Sequence, residues 1–385
     1  MPRLAVTIAI LCSILAHGDM PDDEADCASL IQLNVEHSRK RDSSPSKLVN
    51  GVISRLEDDA RKVVAKFERL GYSDAGLMSR MKDQIRKMTL SQVETAAWSD
   101  GDTTSPECVA IKATAAGNRF GSHGELFAGE AAADDLRGAG WTFVRGFNVS
   151  EGTDWDYSGW WEKDGACTIT FQGSDDNSDF ANNWDPTPVE FWGLQGVHRG
   201  LTNELQQLID QMDFSAIKAK CSGSLQVVGH SLGGGLAQLF SAAINHPADN
   251  LGAELNVDKL YTFGAMPVAE ESLENGGLAS GCFPGSLYYT AKIDDSGSTA
   301  VDIVGAKAVG GGGAGMDPVK ADKVLLFGPG SDGSQSFPCG TKLPLEDYTS
   351  PGFSLHLIQI YEYYLGCITQ VEFMAFMTAM QAMTH

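Results

Sequence analysis

The chain is short of positive charge. It sets 28 Lys and Arg against 50 Asp and Glu, a formal net charge of −22 over 385 residues. So acidic a surface repels nucleic-acid phosphates and anionic bilayers at long range, so no nucleic acid is expected as a partner; neutral or zwitterionic ligands fit better. Charge of either sign is sparse, at 20%, while apolar residues reach 43%. That balance excludes a disordered chain and leaves ample material for a large core. The eight cysteines contain no C-x-x-C spacing, which removes zinc-ribbon and thioredoxin-like sites. The acidic run Asp175 to Asp179 lacks what a calcium loop needs. Phe180 stands where glycine is required and Pro186 where the closing carboxylate would fall. No metal and no cofactor is expected. Beyond the N-terminus no window supplies the ~20 uncharged apolar residues of a bilayer span, so no transmembrane segment is expected.

What is present starts with a targeting signal. Met1-Pro2-Arg3 and the apolar stretch Leu4 to Ala16 have the form of a secretory signal peptide, with small residues at Ala16-His17-Gly18 for cleavage. Residues 1–18 are read as that signal, and a secreted or endomembrane-lumen protein follows. Residues 19–46 form an acidic leader that ends in Arg39-Lys40-Arg41, which is either a solvated charge run or a processing site. Signal removal takes Cys12 and leaves an odd seven cysteines; removal up to Arg41 also takes Cys27. The surviving six suit disulfides in an oxidising compartment, in a pairing that spacing does not assign. Asn148-Val149-Ser150 is a glycosylation sequon. Residues 47–100 show apolar residues at helical spacing, such as Val49, Val52, Ile53 and Leu56, and predict a helical N-terminal extension. Ser99 to Gly140 is rich in Gly, Ala and Ser, with helix expected only in its Ala-rich parts.

From Trp141 the period shortens to that of strands. Trp141 to Asn148, Tyr157 to Glu162 and Ala166 to Phe171 read as strands, with a hairpin turn at Lys163-Asp164-Gly165. The rest of the chain is organised around Ser224 to Ile244, SLQVVGHSLGGGLAQLFSAAI. An apolar strand pattern (Leu225, Val227, Val228) meets Gly229-His230-Ser231-Leu232-Gly233, and an Ala-rich amphipathic pattern opens at once. A serine at the tip of so tight a strand-to-helix turn is held in strained backbone geometry. Its neighbours two before and two after must then be nearly free of side chain, as Gly229 and Gly233 are. The hydroxyl projects at the positive end of the following helix, where developing negative charge is stabilised. Ser231 is thus predicted as a nucleophile. The rival reading, a phosphate cradle, lacks the P-loop lysine.

The longer string GHSLGG followed by Gly235-Leu236-Ala237 resembles the class 3 lipases, the family of fungal triacylglycerol lipases and plant acyl-hydrolases. The resemblance implies an α/β-hydrolase with a mostly parallel central sheet over residues 101–385, preceded by the helical extension, and cleavage of carboxylic esters of lipids. Phe171-Gln172-Gly173-Ser174 resembles the family's Phe-Arg-Gly-Thr oxyanion motif, departing at Gln172 and Ser174. Two donors are wanted for a tetrahedral oxyanion, and the resemblance assigns them to Leu232 and Ser174. Gln195 to Leu201 resembles a Val-His-x-Gly-Phe block, in which His198 is structural. Residues 180–194, with Phe180, Trp184, Phe191, Trp192 and Leu194, match the family's lid in position, and their aromatics suit core packing equally well.

A serine hydroxyl needs a base, and the base a carboxylate to hold its tautomer. In this fold the order along the chain is Ser, then Asp or Glu, then His. Only His246, His356 and His385 follow Ser231; His246 precedes any plausible acid and His385 is terminal. His356, in a setting that resembles the family's His-x-x-x-x-Tyr before the last helix, is the expected base. That helix is predicted from His356 to about Met380. For the acid, Val301-Asp302-Ile303-Val304 resembles the family's block and favours Asp302, while spacing past the strand Ser286 to Ile293 keeps Asp294 and Asp295 open. The expected partner is a lipid ester substrate at an oil–water or membrane interface. Alternatives are a phospholipase A1 or galactolipase with the same triad, or a catalytically silent lipid-binding relative.

Overall fold

The structure, a computed structural model, describes residues 61, 104–117, 125–151, 154–174, 185–246, 255–293, 299–302, 316–327, 334–341, 350–352, 357–369 and 372–373. Residues 1–18, 19–46 and, apart from Arg61, 47–100 lie outside them, as do Asp294, Asp295 and His356. The chain divides into two units. One comprises Thr103–Gly328 and Ser334–Leu365 and carries all the strands and helices named below. In the other, made of Met1–Asp102, Pro329–Gly333 and Gly366–His385, Thr369 and Glu372 cap each other. The Thr369 N–H donates to Glu372 Oε2 (2.8 Å) and the Glu372 N–H to Thr369 Oγ1 (3.1 Å), a reciprocal capping box.

The larger unit is built on a ten-stranded sheet in the order β1-β2-β3-β6-β7-β8-β10-β11, with β9 paired to β8 and β12 paired to β9. Its strands are β1 (Thr142–Glu151), β2 (Asp154–Lys163), β3 (Ala166–Phe171), β6 (Leu225–His230), β7 (Lys259–Phe263), β8 (Phe283–Ile293), β9 (Thr299–Asp302), β10 (Ala321–Phe327), β11 (Ser334–Pro338) and β12 (Ser350–Gly352). The central five, β3, β6, β7, β8 and β10, run parallel, and antiparallel pairs flank them at β1-β2-β3 and β10-β11. Parallel strands need crossovers that cover both faces, which is why β6 is buried at every residue, Gln226 and His230 included. The predicted hairpin turn is present: Asp164 (φ 51) and Gly165 (φ 83) both take positive φ, the geometry that matches strand twist.

Alternation sorts the sheet into two faces. Cys167, Ile169, Phe171, Val227, Leu260, Leu287 and Leu326 join one core cluster with α3 (Arg199–Ile209) and α5 (Ser231–Asn245), through Leu201, Leu205, Leu208, Leu236, Leu239 and Phe240. The intervening residues face the other way. There α1 (Pro106–Gly117) packs on β3, β6 and β7, and α6 (Ile358–Leu365) lays Tyr361 against Phe263 and Tyr364 against Phe327. Each large apolar side chain taken fully out of water contributes ~1.5–3 kcal/mol. The Ala-rich region thus supplies two helices, α1 and α2 (Glu125–Gly138).

One buried ion cluster ties this face together. Lys112 on α1 reaches Asp135 on α2 (2.9 Å) and Glu362 on α6 (3.0 Å), with the side chains of Lys112 and Glu362 each only 6% exposed. A buried lysine is tolerated when carboxylates of this kind surround it.

Two expectations change. The closing helix was expected to reach about Met380, but α6 stops at Leu365, because Gly366 takes φ 75, the left-handed stop that glycine permits. Strand β8 begins at Phe283 rather than Ser286, running through Pro284 and Gly285, residues that normally break a strand. Gly285 has φ 123 and lies flush on the Leu260 backbone, where a Cβ would collide with the Leu260 carbonyl. Cys167 pairs with Cys221 and Cys282 with Cys339; Cys108 and Cys367 are also disulfide-bonded, so the six cysteines expected to be paired all are.

Candidate active site

The chain passes from β6 into α5 with no intervening residue, so the reversal falls on Ser231 itself. Ser231 takes φ 59, one of three non-glycine residues with positive φ among those described. Such a conformation costs about 1–3 kcal/mol and persists where the surroundings over-determine it. They do so here. A Cβ on Gly229 would collide with the Gly233 carbonyl, and one on Gly233 with the carbonyls of Phe171 and Gln172. Only glycine fits at either position, as the sequence predicts.

Helix geometry then presents a donor. Leu232 is the second residue of α5, and the first four N–H groups of a helix have no partner within it. His230, at the N-cap, makes no side-chain capping bond to them. The dipole adds a partial positive charge at this end. On the neighbouring strand Phe171 pairs with Gly229 in parallel register, so β3 and β6 end level. Beyond Phe171 the chain runs past Ser231: a Cβ on Gly173 would lie 2.9 Å from the His230 carbonyl oxygen and 3.3 Å from Ser231 Cβ. Ser174, half-buried, is the next residue. From the other side the Met266 N–H donates to the Ser231 carbonyl (3.3 Å).

The remaining predicted residues are placed by backbone register alone. Asp302 ends β9; it pairs with Gly352 of β12, and the residue before it, Val301, pairs with Ala291 of β8. His230, Phe263 and Tyr288 are register partners across β6, β7 and β8, so Asp302 belongs to the same end of the sheet, three strands from β6. His356 lies outside the described residues, between Gly352 and Ile358. Tyr361, on the helix that follows it, meets the His230 ring at 6.1 Å between centroids.

His198 is accounted for structurally. It is the N-cap of α3, its Nδ1 accepts the Leu201 N–H (3.4 Å), and burial pushes its pKa below the ordinary 6.5, opposed in part by the nearby Asp185 carboxylate. Within the lid candidate, Phe180 and Trp184 lie outside the described residues. Phe191, Trp192 and Leu194 belong to the hairpin of β4 (Pro188–Phe191) and β5 (Leu194–His198), which turns at Trp192 (φ 49) and Gly193 (φ 81). Phe191 and Leu194 enter the core, and Trp192 packs against it while its Nε1 donates to Gln206 Oε1 (2.9 Å). For these three side chains packing is the answer. The sequence offered no sign of the Met266 bond or of the Lys112 cluster, because both join residues far apart in the chain.

A strand, strained serine and helix at the carboxyl end of a mostly parallel sheet define an α/β-hydrolase. Residues 168–280 match the family described as lipase (class 3). No curated protein is significantly similar in sequence. Among solved structures, a triacylglycerol lipase whose catalytic centre is a serine protease triad matches at 17% identity and TM-score 0.47, over 65% of this chain and 91% of that one. A lipase from Rhizopus microsporus var. chinensis matches at 14% identity and TM-score 0.44, over 71% and 91%. Rhizomucor miehei triacylglyceride lipase matches at 16% identity and TM-score 0.44, over 64% and 94%.

Proposed function

We propose that the chain is a secreted serine hydrolase that cleaves carboxylic esters of lipids through an acyl-enzyme, with Ser231 as nucleophile, His356 as base and Asp302 as the orienting acid. The observation that carries this reading is Ser231 at φ 59, at the N-terminus of α5, with Gly173 in contact beside it. The Ser231 hydroxyl attacks the ester carbonyl as His356 takes its proton. The carbonyl oxygen gains the charge and is held by the N–H of Leu232 and by Ser174. Collapse expels the alcohol, which receives the proton from His356; water then repeats the sequence and releases the acid.

The pairing of Asp302 with Gly352 supports the triad, because four residues span at most ~14 Å and so hold His356 near that carboxylate's strand. Secretion is supported by the signal-like N-terminus and by paired cysteines, which persist in oxidising compartments. Residues 1–18 as signal, 19–46 as leader and 47–100 as extension complete the proposed organisation. A fluorophosphonate probe tests the chemistry: intact-mass and peptide analysis should find one adduct, on Ser231, absent from Ser231→Ala. A folded wild-type protein that takes no label would overturn the reading.

A further inference from the structure

The nucleophile's carbonyl and the Leu232 N–H are the two ends of one peptide unit. Whatever holds the Ser231 carbonyl therefore also aims the N–H that faces the oxyanion, since the unit is planar. The described partner of that carbonyl from outside the helix is the Met266 N–H, in the loop after β7. Accepting a hydrogen bond at its carbonyl also polarises a peptide and makes its N–H a better donor.

Residue 266 is itself held from its other side. Gln238, fully buried and two turns into α5, donates from Nε2 to the Met266 carbonyl (3.0 Å) and to the Gly234 carbonyl (3.3 Å), and its Oε1 accepts the Val319 N–H (2.9 Å). Its three partners are backbone groups of fixed polarity, so the amide has only one orientation that satisfies them. The close approach of Gly234 to Ala265, where a Cβ would stand 2.6 Å from Ala265 Cβ, presses the same loop on the same helix.

Resting on the proposed hydrolase reading, we infer that Gln238 is a positioning residue for the oxyanion site: it holds Met266 so that Met266 fixes the Ser231–Leu232 peptide. A buried glutamine bonded only to backbone would otherwise be a packing detail. Here the chain of contacts ends on a peptide whose orientation the proposed chemistry depends on. Removing an oxyanion donor costs about 10²–10³ in turnover, and loosening one costs a part of that.

The test compares Gln238→Met, which keeps the volume and removes both bonding functions, with Ser241→Ala. The latter deletes a buried bond in the same helix, Ser241 Oγ to the Ala237 carbonyl (2.7 Å), away from the loop. Both proteins are assayed on a soluble short-chain ester and titrated with an alkyl boronic acid, which forms a tetrahedral adduct on a reactive serine. Gln238→Met is expected to lose about 10-fold in kcat and in boronate affinity with KM within about twofold, while Ser241→Ala keeps both. Equal kcat in Gln238→Met and wild type, or equal losses in both variants, would overturn the inference. If Gln238→Met does not fold, Gln238→Glu, which keeps the acceptor for Val319, is held to the same result. A wild type that neither turns over ester nor binds boronate would instead bring down the hydrolase reading itself.

Discussion

Gly173 lies beside Ser231 with no room between them for a methyl group: a Cβ on Gly173 would stand 2.9 Å from the carbonyl oxygen of His230 and 3.3 Å from Ser231 Cβ. Because that obstacle is backbone, Gly173→Ala must push the segment carrying Ser174 away from Ser231, the proposed nucleophile. A displacement of up to an ångström in a catalytic geometry costs as much as 10²-fold. Turnover of a short-chain ester should fall by about 10- to 100-fold while circular dichroism stays native; wild-type turnover would show that this segment takes no part.

The identity of the acid is tested by three substitutions. Asparagine in place of a triad carboxylate leaves the fold standing and lets the imidazole take the wrong tautomer, at a cost of about 10⁴-fold in the serine-protease precedent. Asp302→Asn should approach that loss, whereas Asp294→Asn and Asp295→Asn should cost no more than about 10-fold, the scale of a surface cap. A soluble ester keeps interface binding out of the measurement. Collapse at Asp294 or Asp295 with Asp302→Asn active would move the acid from β9 to the residues that follow β8 in the chain.

The Lys112 cluster predicts an asymmetry in stability. Lys112→Met strips the cation from between Asp135 and the buried Glu362, and breaking a buried pair from one side costs about 3–5 kcal/mol. Glu362→Gln should cost less, since Lys112 keeps Asp135 as a partner. Denaturant unfolding with disulfides intact measures both, and equal losses would refute the arrangement.

His198 predicts a pH dependence. Its pKa is lowered in the fold by burial, so between the folded value and the ordinary 6.5 the unfolded chain binds more protons than the native one. Its contribution is therefore complete above pH 6.5 and is lost as pH falls towards the folded pKa. His198→Asn, which still caps a helix, should flatten thermal stability below pH 6.5 relative to wild type without unfolding α3. An unchanged slope would assign the dependence to other groups.

The sequence by itself determined the elements whose causes are local. The strand, turn and helix around Ser231 were legible because Gly229 and Gly233 are demanded by contacts within a few residues and one neighbouring strand end. The Asp164-Gly165 hairpin was legible for the same reason, since positive φ at both positions is a property of those two residues. The tertiary structure alone decided what depends on distant partners. Cys167 paired with Cys221 because β3 begins where the helix before β6 ends, a matter of sheet order that spacing does not contain. Phe191, Trp192 and Leu194 suited lid and core equally in sequence, and the hairpin docked on α3 settled them as packing. Lys112 and Glu362 are 250 positions apart, and Gln238 and Val319 81 apart, so nothing in either neighbourhood announces the bond. A buried polar side chain is chosen by the partner it satisfies, and that partner exists only once the sheet has brought the two segments together.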